Sequence, residues 1–190
     1  QPVLELGADV HTELSSALGD KAEGASGDKG ISSSSQTALM SAMCCASISC
    51  GIFHTLALLR SGAVCTWGGG GSQLGHGGPA DVRLPKKIGS MSGVRAVAAG
   101  AAHSVVVTAK GQVWSWGSNR EHQLGTDVPR LEVEAFRPLK VVALQAVKVK
   151  HIACGSFFTL VLTASGDAIS WGEGSNGQLG HGSCTSESSP

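Results

Sequence analysis

Three stretches of this chain repeat one another, at residues 51–77, 100–127 and 155–182. Each opens on a glycine (Gly51, Gly100, Gly155) and carries a second glycine eleven residues on (Gly62, Gly111, Gly166). A tryptophan stands sixteen residues after the opening (Trp67, Trp116, Trp171), always followed by glycine (Gly68, Gly117, Gly172). A Leu-Gly pair closes each unit at Gly75, Gly125 and Gly180. The openings are spaced by 49 and then 55 residues. Self-similarity at such a period belongs to propellers and solenoids, in which a unit buries its apolar face only against a neighbour.

Within each unit the pattern is that of strands. Leu56 and Leu58, Val105 and Val107, and Leu160 and Leu162 occupy matching alternate positions, the period of two that turns one face toward a core. Each run meets a turn at Gly62, Gly111 or Gly166 and a second run ends at the tryptophan, which makes a hairpin. A strand precedes each unit at residues 47–50, 96–99 and 151–154, and a fourth is expected to begin at Pro85 and at Pro138. Proline is tolerated at the start of an edge strand, where no ladder bond needs its N–H. Four short strands in about 50 residues make one propeller blade, so the expectation is all-β: a partial propeller of about three four-stranded antiparallel blades.

The expected organisation is three repeats over residues 38–182, divided at about 38–84, 85–136 and 137–182. Residues 4–9 resemble 122–127, so residues 1–17 read as the tail of a preceding repeat. Residues 18–37 alternate Gly, Ser, Ala and charge without a period and read as a flexible insertion. A smaller insertion lies near 128–136, and 183–190 is expected to be a loose polar tail.

These residues resemble the repeat of the regulator of chromosome condensation family. Its pattern is a small pair plus Gly, then two variable residues and His-Ser/Thr, an apolar strand, a turn glycine, and Val-x-x-Trp-Gly-x-Asn-x-x-Gly-Gln-Leu-Gly. His54-Thr55, Val64 to Gly68, Val113 to Asn119 and Ser175 to Gly182 match it. The resemblance implies a seven-bladed propeller. Three copies are then fewer than half a ring, with two apolar blade flanks open, and the remaining blades are expected outside this sequence. A WD-type blade ends Trp-Asp where all three copies here end Trp-Gly, and the glycine doublet and tyrosine of kelch repeats are not repeated here. The family's plant ultraviolet-B photoreceptor places tryptophan directly after the opening glycine. Ile52, Ala101 and Ser156 stand there, which disfavours light sensing of that kind.

Composition removes several classes of function. Hydrophobic residues make up 42% and charged residues 15%, too apolar and too weakly charged for a disordered chain. No apolar run approaches the ~18 residues of a spanning helix, so membrane insertion is not expected. Lys plus Arg and Asp plus Glu both total 14, and no aromatic ladder accompanies the bases, so direct nucleic-acid contact is not expected. Residues 1–40 carry six acids against two bases, leaving the rest mildly basic.

Candidate chemistry mostly dissolves when the copies are aligned. His54 and His103 could serve as general bases, but their third equivalent is Phe158; a slot that accepts either ring is a packing slot. His76, His181 and their equivalent Thr126 read as turn residues. Cys44, Cys45 and Cys50 with His54 suggest zinc, yet no second ligand pair exists and Cys50 aligns with Ala99 and Cys154. Cys65 is matched with Ser115 and Ser170 as a small buried position, and no disulfide is expected, which fits a reducing intracellular setting, cytoplasmic or nuclear, with an organellar or ciliary one left open. The run Gly68 to Ser72 lacks the helix and lysine of a phosphate loop. No cofactor or metal is assigned.

What remains is binding. The expectation is a protein–protein interaction module and scaffold, not an enzyme, because propellers present a rigid face of variable loops. The loops that differ between copies are 69–72, Arg120-Glu121-His122 and 128–136. The partner-binding candidates are Arg120, Glu121, His122, Arg130, Glu132, Arg137 and Trp114, the last read as an exposed anchor. Trp67, Trp116 and Trp171 are expected to be core pegs between blades. The bases Arg130, Arg137, Lys140, Lys148 and Lys150 read as a solvated edge that could also meet an acidic partner. Two further functions follow from the resemblance: guanine nucleotide exchange on a Ran-like small GTPase, and a structural role in a large assembly.

Overall fold

A computed structural model describes residues 44–126 and 133–190. All described residues belong to one compact unit, Ala42–Pro190. The preceding-repeat tail at 1–17, the insertion at 18–37, and Arg130 and Glu132 lie outside the described residues.

Among the described residues, eleven strands form three antiparallel sheets. The first holds β1 (Cys45–Cys50), β2 (His54–Leu59), β3 (Val64–Gly68) and β4 (Val82–Lys87), in that spatial order. The second holds β5 (Val94–Ala99), β6 (His103–Thr108), β7 (Val113–Ser118) and β8 (Glu134–Lys140). The third holds β9 (Val149–Cys154), β10 (Phe158–Thr163) and β11 (Ala168–Gly172). This is the all-β blade architecture read from the repeat.

The fourth strand begins earlier than expected. Val82 pairs with Gly68 and Ala135 with Gly117, so β4 and β8 start before their prolines. Pro85 and Pro138 instead sit where the ladder slips, in the bulge opposite Trp67 and Trp116. Each lies on an outermost strand, where a bulge and an unpaired edge both spare the missing N–H. Boundaries at 84/85 and 136/137 would cut these strands, each of which belongs to the sheet before it.

The third sheet has three strands, and the C-terminal tail stands in for the fourth. Gly172 and Glu187 exchange both backbone hydrogen bonds, at 2.8 and 3.0 Å, at the register where Val82 pairs with Gly68 and Ala135 with Gly117. The Gly174 amide donates to Ser186 Oγ at 3.1 Å. The tail expected to be loose is pinned by these three bonds.

Strand alternation decides what each sheet buries. In β2 the residues His54, Leu56 and Leu58 are buried against the second sheet, in a core that joins Val64, Val106, Trp116 and Leu124. In β10 it is Thr159, Val161 and Thr163 that turn inward, with Val161 and Trp171 meeting Val105, Val107 and Val113. The middle strand β6 has a sheet on each side, so all six of its residues are buried. Each fully buried Val or Leu side chain contributes about 1.5–3 kcal/mol. Trp116 and Trp171 are fully buried pegs, as expected, whereas Trp67 is only half-buried because the second sheet covers the other face of its own.

Candidate functional site

A repeated polar contact locks the sheets in register. His54 Nε2 lies 2.9 Å from Ser104 Oγ of the second sheet. Ser104 Oγ donates to the Gln73 carbonyl at 2.9 Å, and Trp116 Nε1 donates to the same oxygen at 2.8 Å. The second and third sheets repeat this with His103 Nε2 to Thr159 Oγ1 at 3.1 Å, Thr159 to the Gln123 carbonyl at 2.9 Å and Trp171 Nε1 to it at 3.0 Å. A hydroxyl has one proton, and here it goes to the carbonyl. The histidine must therefore carry its proton on Nε2, and Nδ1 of both rings is buried without a partner.

That environment removes the histidines from acid–base work. Burial lowers the pKa of His54 to about 4, partly opposed by a hydrogen bond involving His103. Burial lowers His103 to about 3, with the nearby His54 adding to the effect. A general base works best with a pKa near the operating pH. These rings are neutral fillers, and a Cβ at Gly51 or Gly100 would overlap them.

A second hydroxyl position closes each sheet's own loop. Thr66 donates to the Leu74 carbonyl at 2.7 Å, Ser115 to Leu124 at 2.7 Å and Ser170 to Leu179 at 2.8 Å. The ladder pairs Thr66, Ser115 and Ser170 with Leu56, Val105 and Leu160. Thr66, not Cys65, is thus the equivalent of Ser115 and Ser170; Cys65 corresponds to Trp114 and Ile169. His76 and His181 join this contact through Nε2, at 2.9 Å from Thr66 and Ser170. In the middle copy Thr126 stands there with its hydroxyl buried and unpartnered.

The strand directions give the sheets two ends. At the Trp-Gly end lie the turns 51–53, 100–102 and 155–157 and the loops after Gly68, Gly117 and Gly172, joined by bonds such as Ser118 N to the Ala102 carbonyl at 2.8 Å. At this end lie the expected contact loops 69–72 and 120–122 and the described part of 128–136, residues 133–136. Asn119 N donates to the Val133 carbonyl at 2.7 Å, tying the 119–122 loop to the start of β8, and Gly77 N donates to the Phe136 carbonyl at 2.7 Å, tying in the first sheet's loop. Arg120, Glu121 and His122 are exposed. Arg137 is exposed too, its guanidinium lying over Gly77, where a Cβ would come within 2.6 Å of it.

Trp114 does not join them. It is half-buried against the first core, not exposed, and lies toward the opposite end, beside Met91 and Lys110. The sequence reading also missed Phe53 and Phe157, which are 72% and 41% exposed at the Trp-Gly end. Their signal was available, since both occupy the position just before the His54 slot, with Ala102 as the third equivalent.

The sequence profile of the Regulator of chromosome condensation (RCC1) repeat matches residues 61–107 and 110–162, and a second profile of that repeat matches 94–123 and 149–178. The chain belongs to the RCC1 repeat family. Among RCC1 relatives, the ultraviolet-B receptor UVR8 of Arabidopsis thaliana is 37% identical over 143 residues, covering 73% of this chain and 32% of the receptor. The probable E3 ubiquitin-protein ligase HERC3 of Homo sapiens is 40% identical over 147 residues, covering 75% of this chain and 14% of the ligase. The crystal structure of human WBSCR16 superimposes with a TM-score of 0.70 at 28% identity, covering 78% of this chain and 37% of that one. The chain therefore spans a third or less of the curated relatives it matches here. Among the described residues, no helix is long and apolar enough to cross a membrane.

Proposed function

We propose that this chain is a protein-interaction module whose contact surface is the Trp-Gly end of its second sheet. The observation that carries the reading is the pair of backbone bonds from Asn119 to Val133 and from Gly77 to Phe136, which weld loops from two sheets into one surface. Arg120, Glu121, His122 and Arg137 stand exposed on it. The His54–Ser104–Gln73 and His103–Thr159–Gln123 contacts hold the sheets beneath it in a fixed relation, so the loops need little ordering to bind. Membership of a family that includes an ultraviolet-B receptor and a probable ubiquitin-protein ligase supports docking as the shared task and the partner as the variable.

The test is affinity capture from an extract with the 190-residue chain and a variant carrying Arg120→Ala, Glu121→Ala, His122→Ala and Arg137→Ala. All four side chains are exposed, so the fold should survive. Loss of specific captured proteins is the expected outcome, and an unchanged capture profile overturns the reading.

A further inference from the structure

The two ends of the sheets differ in charge. Among the described residues, Arg60, Lys87, Lys110, Lys140, Lys148 and Lys150 lie toward the hairpin end, opposite the Trp-Gly loops, against the single carboxylate of Asp167. That carboxylate is occupied within its own turn, accepting from Ser165 Oγ at 2.6 Å and from Thr163 Oγ1 at 3.4 Å. The acids Asp81, Glu121, Glu134, Glu173 and Glu187 all belong to the Trp-Gly end.

The basic end also contains a groove. It runs between the connector Ser90–Gly93 and the hairpin of the second sheet, with Met91 and Trp114 as apolar walls and Lys110 and Gln112 on its rim. Lys140 is the cross-strand partner of Trp114 in the β7–β8 ladder, so the two side chains share one face of the sheet. Lys148 adjoins the Lys110 turn, where a Cβ at Gly111 would touch it at 3.5 Å. The indole N–H of Trp114 has no hydrogen-bond partner among the described residues, whereas those of Trp116 and Trp171 are both satisfied. A half-buried donor beside an apolar wall, within a rim of lysines, is a recognition arrangement rather than a packing one.

We propose that this groove docks an acidic protein segment carrying an apolar side chain. Carboxylates of the segment meet Lys110, Lys140 and Lys148, the apolar side chain lies against Met91 and Trp114, and a carbonyl or carboxylate accepts the Trp114 N–H. The proposal rests on reading the chain as a binding module but concerns the end opposite the loops assigned above. A protein segment suits the site better than nucleic acid: there is one indole and it is half-buried, whereas single-strand binders stack successive bases on exposed rings.

Three labelled probes test this against the 190-residue chain by fluorescence anisotropy at low ionic strength: a glutamate-rich peptide with one central leucine, the same peptide with serine in its place, and an oligothymidylate of matching charge. The leucine peptide should bind most tightly and weaken with added salt. Lys110→Glu with Lys148→Glu, both exposed and safe for the fold, should weaken it by about tenfold or more. Trp114→Phe, which keeps an apolar ring and removes the N–H, should weaken both peptides while the leucine peptide keeps its advantage. Substituting Arg120, Glu121, His122 and Arg137 should leave these affinities unchanged, which separates failure here from failure of the loop surface. Absence of peptide binding, indifference to the lysine changes, equal affinity for both peptides, or tighter binding of the oligonucleotide overturns the proposal.

Discussion

The Gln73 carbonyl accepts hydrogen bonds from two side chains of the neighbouring sheet, Ser104 and Trp116, at 2.9 and 2.8 Å. Ser104 holds the His54 ring in turn, so one main-chain oxygen anchors three side chains across the sheet boundary.

Removing the middle member should expose the arrangement. Ser104→Ala leaves the His54 Nε2–H buried without an acceptor and takes one of two donors from Gln73. The cost of such an orphaned group is about 1–3 kcal/mol, measurable as a lower urea midpoint. Ser104→Thr should cost much less, because Thr159 makes the same contacts in the next sheet.

Acid should loosen the sheets through the same rings. The folded pKa values of His54 and His103, about 4 and about 3, lie below the ordinary value of 6.5. As pH falls below about 6.5 the unfolded chain takes up protons that the folded chain refuses. The stability these rings contribute is complete above that pH and is lost progressively as pH falls toward 4 and then 3. At about 1.4 kcal/mol per unit of displacement, the effect is on the order of several kcal/mol. Urea midpoints between pH 7 and 5 should fall in the natural chain and flatten in a His54→Phe, His103→Phe variant, Phe being the residue at position 158.

Gly100 should not tolerate a methyl group. An added Cβ would overlap the His103 ring and lie 2.7 Å from the Gly155 carbonyl oxygen. Gly100→Ala is expected to lower stability by about 2 kcal/mol or more, the scale of overpacking a tight core. Gly78→Ala, with nothing within 4 Å of the added carbon, is the control and should move the thermal midpoint little.

His122 holds a left-handed backbone at φ 61°, where the third copy has Gly177 at φ 72°. A side chain in that region costs about 1 kcal/mol. His122→Gly should therefore raise the thermal midpoint modestly. If the 120–122 loop is the contact surface, the same change should weaken partner capture. Higher stability with unaltered capture would separate this residue from the surface.

Much of the fold could be read from residues alone, because glycine and tryptophan mark turns and pegs that no other residue fills as well. Alternate Leu positions marked the buried face of β2, but in β10 the buried face is Thr159, Val161 and Thr163, with Leu160 half-buried and Leu162 exposed because no described sheet packs on their side. The fourth strand was harder: Val82-Arg83-Leu84-Pro85-Lys86-Lys87 loses its period of two across the bulge that holds Pro85. The Thr66 position was misread as Cys65 because serine in two copies suggested a small residue, while the shared feature is a hydroxyl one position before tryptophan. The charge difference between the ends could not be read at all, since it depends on which way each strand runs. Trp114 looked exposed because nothing in its neighbours reports the connector that half covers it.

The contacts between sheets have a direction. The first and second sheets each offer a glutamine carbonyl to the one after, and the second and third each receive a histidine on their own Ser or Thr from the one before. Such a joint works like a row of identical couplings, hook at one end and eye at the other. A whole repeat could be duplicated or deleted during evolution with every remaining coupling still matched, whereas a repeat inserted in reverse would bring hook against hook. Phe158 breaks the series: it fills the ring slot but has no N–H to offer. That side of the third sheet therefore has the Gln178 carbonyl to offer a neighbour but no ring N–H, half of the coupling found at the other two joints.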